Sequence, residues 1–273
     1  MKKRLPSILV GLLFLVGLGI MIYPTVSNQW NTYRQNKLIS NYEKIVDDMS
    51  DEDFSQEWQN AQAFNETISG NNVFADVFGE KSKDSENSEY IRVLNVNNNG
   101  IMGYISIPEI NIKLAIYHGT SDDVLQTGVG HINGSKLPIG GESTHCVLAA
   151  HRGLPSAELF TDIDQLQTGD KFYLHILDKV LAYEVDQIKT VLPSQTDDIE
   201  IVDDEDYVTL VTCTPYSVNT HRLLVRGKRT DYKEAIKKTP NEVNNGIHIP
   251  YEVKLAFLSF IIIGIIIFIW RRR

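Results

Sequence analysis

The sequence predicts a mainly β domain held between two membrane-spanning helices. Apolar segments lie near both ends of the 273-residue chain, and the part between them, residues 101–230, consists of short β-rich runs separated by Gly, Pro and Asn. Seven or eight such runs at this spacing are typical of one antiparallel barrel or sandwich with little helix.

Residues 5–26 are predicted to form the first membrane helix. Within them, residues 5–23 carry no charge and are long enough to cross a hydrocarbon core about 30 Å thick. No cleavage-site pattern of small residues follows Tyr23, so a retained anchor is favoured over a cleaved signal peptide. Residues 1–4 include three basic side chains, which we expect on the cytoplasmic side of the membrane.

A second membrane helix is predicted at residues 253–270, because residues 255–270 are nearly all Ile, Phe and Leu and are followed by the basic tail 271–273. Because Lys and Arg are enriched on the cytoplasmic side, both termini are expected there. Everything between the two helices would then lie outside the plasma membrane. Residues 231–252 would form a polar linker between the β domain and this second helix.

Residues 27–69 are predicted to form short amphipathic helices. Apolar residues recur at helical spacing from Leu38 to Met49, and Ser50 with Asp53 resembles the capping box of a second helix. Residues 70–100, by contrast, are polar and follow neither the helical nor the strand period. Such a stretch is too long for an ordinary connection, and we interpret it as a mobile or functional loop.

The strand-like runs of the β domain alternate in hydrophobicity and end at turn residues. They lie at residues 102–107, 113–117, 144–150, 171–177, 182–191, 207–213 and 222–226. The one turn of helix expected among them lies near residues 157–166.

Composition excludes several functional classes. The chain has 26 basic and 35 acidic residues, and six of the basic residues stand in the two end clusters, so the extracellular part is acidic and no nucleic-acid partner is expected. Its two cysteines do not make a disulfide framework, and Cys146 is interpreted as a buried structural thiol. No metal-binding motif is present, so neither a metal nor another cofactor is predicted.

Cys213 ends an alternating strand, and the turn residues Thr-Pro-Tyr-Ser follow that strand. Arg222 begins the next apolar run after a loop short enough for a hairpin. Such a hairpin would bring Cys213 and Arg222 to the same end of the sheet. A cysteine nucleophile needs a nearby cation or base, and a fixed guanidinium can stabilise the oxyanion of acyl transfer.

The base is not identified by spacing alone, because the chain has seven histidines. His151 is favoured since it ends an apolar strand and opens a turn, which is the same kind of position that Cys213 occupies. The alternatives for this histidine and for Arg222 are structural: a hydrogen-bonded ring at a strand end, and an arginine that pairs with a carboxylate.

Several stretches resemble the sortase family, and within it the class C branch that polymerises pilins. The signature Thr-Leu-x-Thr-Cys runs from Thr209 to Cys213, and "CTPYSVNTHRLLVRGKR" is similar to that branch's continuation through its arginine. The segment "HRGLPSAELFTDIDQLQTGD", which begins at His151, is similar to the segment that carries the family's histidine. The resemblance covers residues 101–229 almost continuously.

This resemblance implies a closed eight-stranded sortase-type β-barrel. It also implies Cys213 as nucleophile, His151 as acid/base and Arg222 as the group that positions substrate and steadies the oxyanion. Thr209 and Thr212 of the signature are predicted to contact the substrate. The enzyme would cleave an LPxTG-like sorting signal between Thr and Gly and join it to a lysine of another pilin subunit, at the plasma membrane of a Gram-positive bacterium.

Class C sortases commonly carry a lid with an Asp-Pro-aromatic motif. The loop 70–100 offers Asp76-Val77-Phe78, which has the aspartate and the aromatic residue but lacks the proline. Asp76 is predicted to pair with Arg222, and Phe78 to cover Cys213. Without proline the loop loses a fixed backbone angle and is less pre-organised.

Four other interpretations compete with this one, and the sequence argues against two of them. A sortase that anchors surface proteins to peptidoglycan would share the chemistry and differ in the acceptor amine. A papain-like peptidase has its cysteine before its histidine, the reverse of the order here, and a caspase would carry a different cysteine signature on alternating strands and helices. A membrane-tethered adhesin or scaffold would use none of these side chains chemically.

Overall fold

The computed structural model describes residues 5–68, 78 and 88–233 of the chain. Their helices are α1 (Leu5–Asp47), α2 (Asp51–Thr67), α3 (Ser88–Arg92) and α4 (Asp122–Thr127). Their strands are β1 (Ile101–Ile107), β2 (Ile112–His118), β3 (Val129–His131), β4 (Thr144–Ala149), β5 (Lys171–Ile176), β6 (Lys179–Val191), β7 (Asp206–Thr214) and β8 (His221–Thr230). The predicted tails at 1–4 and 271–273, the second membrane helix and most of the linker before it lie outside the described residues.

The strands close into a barrel in the order β1, β2, β3, β4, β7, β8, β6, β5, which confirms the predicted closed eight-stranded barrel. The expectation of a purely antiparallel arrangement is wrong, because β2 pairs with β3 and β4 pairs with β7 in parallel. A parallel pair needs a crossover connection. Here α4 separates β2 from β3, and the β5–β6 hairpin lies between β4 and β7 in sequence. The periodicity of one strand does not reveal the direction of its neighbour.

Each of the seven predicted runs overlaps an observed strand. The eighth strand, β3, escapes the sequence pattern because three residues are too few to show alternation. It is fixed by pairing on both sides, since Gly130 is opposite Tyr117 on β2 and Ala149 on β4. A Cβ at Gly130 would lie 2.4 Å from the carbonyl oxygen of Gly119, so only glycine fits this close approach.

α1 is one continuous helix of 43 residues, with Pro24 inside it. The sequence prediction of a membrane helix that ends at residue 26 and a separate helix after it therefore differs from the structure, which shows no break at that point. The segment Gly11–Asp47 is long and apolar enough, by length and composition, to cross a membrane. This agrees with the predicted anchor near the amino terminus.

Among the described residues the chain forms two compact units. One contains residues 5–31 and Pro155–Ala157, and the other contains the barrel, α2, α3, α4 and the rest of α1. Within the barrel unit, the hydroxyl of Tyr42 on α1 donates to the carbonyl of Met102 at 3.1 Å and accepts from the amide of Leu177 at 2.8 Å. Buried apolar side chains of α1 and of the barrel pack together there: Ile39, Tyr42, Val46, Ile101, Tyr104 and Ala115.

The predicted capping box at the start of α2 is confirmed. The hydroxyl of Ser50 accepts from the amide of Asp53 at 3.2 Å, and the Asp53 carboxylate accepts from the amide of Ser50 at 3.0 Å. Further along α2, the indole N–H of Trp58 donates to Asp178 at 2.8 Å, and Lys179 lies over the same ring. These contacts hold α2 against the β5–β6 turn.

Within the stretch 70–100, which the sequence predicts to be irregular, residues 88–92 form the helix α3. Five residues are too few for a helical period to be visible in the sequence. Tyr90 of α3 is buried, and its hydroxyl lies 2.8 Å from Nδ1 of His131 and accepts from the amide of Gly119 at 2.9 Å. The end of this stretch is therefore fastened to the barrel.

Candidate active site

β7 and β8 bring Cys213 and Arg222 together. The two strands pair antiparallel, and Cys213 stands directly opposite Arg222 in the register. Both side chains are almost fully enclosed, with 6% of Cys213 and 7% of Arg222 exposed. The sequence prediction that a hairpin places them at the same end of the sheet is confirmed.

Strand alternation explains which face carries Cys213. Val211, two residues earlier on β7, points to the same side as Cys213 and pairs with Leu224 on β8. Both belong to an apolar cluster with Val147 and Ala149 of β4. This cluster anchors the strands beneath the reactive end, so Cys213 extends from a packed surface.

His151 reaches the same end through the parallel pairing of β4 with β7. Ala149 stands opposite Val211, and because parallel strands advance together, His151 follows Ala149 by two residues as Cys213 follows Val211. The amide of Ala150 donates to the carbonyl of Val211 at 3.2 Å, which continues the pairing one residue past β4. The two positions, far apart in sequence, are thus set at one edge of the barrel by register.

The imidazole of His151 is partly covered. Burial lowers its pKa below the ordinary value, and the carboxylate of Asp122 at the start of α4 acts in the opposite direction. The carbonyl of His151 accepts from the amide of Phe160 at 3.1 Å, which fixes the backbone of the turn. The ring therefore occupies a partly desolvated position on a fixed main chain.

The guanidinium of Arg222 is oriented by its own loop. Its Nη1 donates to the carbonyls of Asn219 at 3.0 Å and His221 at 2.8 Å. These bonds hold a charged group with main-chain acceptors, and they direct it along the end of the hairpin. A fixed cation of this kind is suited to stabilise an oxyanion close to Cys213.

Phe78 lies across this end of the barrel. Its ring centroid is 5.2 Å from the centre of the Arg222 guanidinium and 5.5 Å from the ring of His151. It also packs against the apolar cluster that contains Val211. Asp76, the other predicted lid residue, lies outside the described residues.

Thr209 and Thr212 are fully buried, and both hydroxyls have partners inside the protein. Thr209 Oγ1 lies 2.7 Å from Nε2 of His145, and Thr212 Oγ1 donates to the carbonyl of Ala150 at 2.8 Å. Thr212 thus fastens β7 to the residue before His151. Contact of either threonine with substrate stays a prediction.

Arg152 is a neighbour of the site that the sequence pattern did not single out. It follows His151, and its guanidinium pairs with Asp164 and reaches toward the hydroxyl of Thr214, the residue after Cys213. Asp164 is 12 residues and Thr214 62 residues from Arg152 in the sequence, so no local period connects them. Only the "HRG" beginning of the turn marks the position.

Within residues 5–68, 78 and 88–233, no group of three or more His, Cys, Asp or Glu side chains is arranged to hold a metal ion. The absence of a cofactor stays a prediction. Cys146, the second thiol, is buried in β4, and burial raises the pKa of its thiol well above the ordinary value. This agrees with its interpretation as a structural residue.

Comparison with known proteins identifies the family. Residues 105–230 match the family described as the Sortase domain. "Sortase A" of Bacillus anthracis is 30% identical over 129 residues, and the aligned part spans 46% of this chain and 59% of that relative.

Two solved structures are similar over most of the described chain. Sortase C-1 from Streptococcus pneumoniae is 46% identical, with 72% of this chain and 99% of that chain covered and a TM-score of 0.68. A pilus-related sortase C of Group B Streptococcus is 43% identical, with 71% and 97% covered and a TM-score of 0.65. The resemblance found in the sequence is confirmed, and the chain belongs to the sortase family.

Proposed function

We propose that this sortase is a membrane-anchored cysteine transpeptidase that polymerises pilins. One observation carries the proposal: Cys213 stands opposite Arg222 in the β7–β8 register, while parallel pairing of β4 with β7 brings His151 to the same edge. A nucleophile, a titratable ring and a fixed cation at one end of a barrel are the parts that acyl transfer requires.

The first half of the reaction breaks the sorting signal. The Cys213 thiolate attacks the carbonyl carbon of the threonine in an LPxTG-like motif, and the carbonyl oxygen becomes an oxyanion. The imidazolium of His151 gives its proton to the glycine nitrogen as the carbon–nitrogen bond breaks. A thioacyl enzyme and a free glycine amine result.

Arg222 stabilises the oxyanion in this scheme. Its guanidinium is held by the carbonyls of Asn219 and His221, so little reorganisation is needed when negative charge develops. Its low exposure also removes competing water, which strengthens the interaction.

The second half transfers the acyl group to an amine. A lysine side chain of another pilin subunit attacks the thioester, its proton passes to neutral His151, and the Cys213 thiolate leaves. An isopeptide bond forms, and both side chains return to their starting charge. The pilin acceptor is supported by the similarity to the pilus-related sortase C.

Phe78 acts as a removable cover in this proposal. Its contacts with Arg222 and His151 are those of a ring that occupies the place of substrate. Asp76 would complete the cover by pairing with Arg222. Because the motif lacks proline, the segment is less pre-organised, and we expect the cover to open more readily than a proline-containing one.

The apolar helix α1 supports a location at the membrane. We infer that α1 anchors the chain in the plasma membrane with the barrel on the extracellular side, as the basic residues before it indicate. The predicted second helix at 253–270 would return the chain to the cytoplasm. In this arrangement the site faces pilin or other surface proteins that carry sorting signals.

The test uses the full chain in detergent with an LPxTG peptide and either a pilin subunit or an oligoglycine amine, and identifies products by intact mass. A pilin–peptide adduct that is lost in Cys213→Ala supports the proposal. Adducts with the glycine amine alone would shift the function to anchoring of surface proteins on peptidoglycan. Failure to trap any thioacyl adduct on Cys213 would favour an adhesin or scaffold over an enzyme.

A further inference from the structure

We propose that Arg152 is a positioning residue that sets the distance between His151 and Cys213. This inference rests on the proposed transpeptidase function, because it concerns the same two reactive groups. Arg152 does not itself contact the reacting atoms in this scheme. It acts through the turn that carries His151 and through the end of the strand that carries Cys213.

The guanidinium of Arg152 connects the turn after His151 with two other parts of the chain. It pairs with the carboxylate of Asp164 on the short 3-10 helix Ile163–Gln165. Its Nη1 lies 3.5 Å from the hydroxyl of Thr214, the residue after Cys213. Its central carbon is 5.8 Å from the ring of Tyr216 in the β7–β8 loop.

A second contact fixes the same turn against the same loop. Gly153 has a positive φ of 75°, and a Cβ there would lie 3.0 Å from the Tyr216 ring. The amide of Gly153 also donates to the hydroxyl of Thr161 at 3.1 Å. The turn after His151 therefore packs directly on the loop after Cys213, with Arg152 beside this contact.

The role of Arg152 is geometric, since Asp164 offsets its charge. The arginine side chain is 9% exposed and the aspartate 43% exposed, so the pair lies at the edge of the site with the cation inward. A lysine would keep the charge, but its single ammonium group cannot make the same planar, forked contacts. Arg152→Lys therefore separates geometry from charge.

Stability alone does not explain this placement. The Nε of Arg152 is buried and has no hydrogen-bond partner within the described part of the chain. Burial of an unpaired N–H group is unfavourable. The contacts of this guanidinium with Thr214 and Tyr216 place it between the two reactive segments.

Arg226 supplies a matched control. It also pairs with a carboxylate, that of Asp186, and lies 4.2 Å from the ring of Tyr207, but it stands four residues along β8 from Arg222. Arg226→Lys therefore makes the same chemical change in a similar environment away from the His151 turn. Differences between the two lysine variants report on position.

The experiment measures transpeptidation and thiol reactivity in the full chain. In a Cys146→Ala background, iodoacetamide reports on Cys213 alone, and its alkylation rate is followed against pH. For Arg152→Lys we expect kcat to fall about tenfold with KM within about twofold, because misplaced groups lose rate before binding. Alkylation at neutral pH should slow several-fold, because His151 no longer supports the thiolate. Arg226→Lys should change neither rate by more than about twofold.

The outcomes separate the inference from the proposed function. If both lysine variants behave alike in alkylation and turnover, the positioning role is wrong, even when the wild type is a good transpeptidase. Suppose that neither the wild type nor any variant transfers the peptide's acyl group to an amine, while Arg152→Lys alone alters the pH profile of alkylation. In that case the proposed function is wrong and the positioning role stands. Should Arg152→Lys not fold, Asp164→Asn loosens the same contact from its exposed side and must show the same slowing.

Discussion

The two ends of the β7–β8 ladder hold polar groups in different ways. At the start of β7, the Asp206 carboxylate accepts from the amide of Gly141 at 2.8 Å and from the hydroxyl of Tyr183 at 3.0 Å, with Arg229 3.6 Å away. At the other end, Cys213 faces Arg222, and an aromatic ring from a segment distant in sequence lies over the arginine.

The difference shows how one pair of strands can serve two purposes. The Asp206 end is a network in which the donors share one fixed acceptor, and burial raises the pKa of that carboxyl while the hydrogen bonds oppose the rise. At the Cys213 end, the Phe78 ring lies beside Arg222 and His151 and belongs to no strand. We expect substitutions at the two ends to separate stability from activity.

The largest effect is expected for Cys213→Ala. Loss of the nucleophile should reduce turnover by about 10⁴-fold or more and abolish the thioacyl adduct. The melting temperature should change by only a few degrees, because a single small group is removed. Intact mass and thermal unfolding measure the two quantities. A variant that still forms the adduct would place the nucleophile elsewhere.

Arg222→Lys should have the next largest effect. The variant keeps a positive charge but loses the planar donors, and we expect kcat to fall by about 100-fold with a smaller change in KM. Steady-state kinetics with an LPxTG peptide measures it. A large rise in KM with kcat unchanged would instead assign Arg222 to substrate binding in the ground state.

Asp206→Ala should lower stability and leave activity nearly unchanged, the opposite of the Cys213 and Arg222 variants. Removal of the carboxylate leaves the buried hydroxyl of Tyr183 without its acceptor and removes the partner of the exposed Gly141 amide, so the free energy of unfolding should fall by about 2 kcal/mol. Turnover at a temperature where the variant is folded should stay close to the wild-type value. Chemical denaturation measures stability, and Asp198→Ala, at an exposed ion pair with Lys189, provides a control of under about 1 kcal/mol.

The smallest effect is expected for Phe78→Ala, which should change the pKa of His151. Burial is the main cause that lowers the pKa of this histidine, so uncovering the ring should raise the pKa toward about 6.5. The imidazolium would then persist to higher pH, and the acid-dependent limb of thioacylation should extend in the same direction. NMR titration of His151 checks the shift, and an unchanged or lower pKa would contradict the cover.

The sequence predicted the site better than it predicted the sheet around it. Cys213 and Arg222 are joined by a short loop, so their placement at one end follows from a hairpin. His151 shares that end because β4 is parallel to β7, although the sequence favoured an antiparallel sheet. The prediction that both strand ends meet at one mouth was right, while the expected sheet direction was wrong. The contacts of Arg152 were not predicted, because its partners come from two other segments, one with Asp164 and one with Thr214 and Tyr216.

Local chemistry explains this division. Strand periodicity, the capping box of α2, the apolar anchor and the Cys213 hairpin depend on neighbouring residues, so the sequence alone determined them. The tertiary structure decided the parallel pairing of β4 with β7, the three-residue strand β3 and the placement of Phe78 over Arg222. These features depend on which surfaces are buried together when the barrel closes. The free energy of that burial comes from contacts between residues far apart in the chain, so a local sequence pattern does not show it.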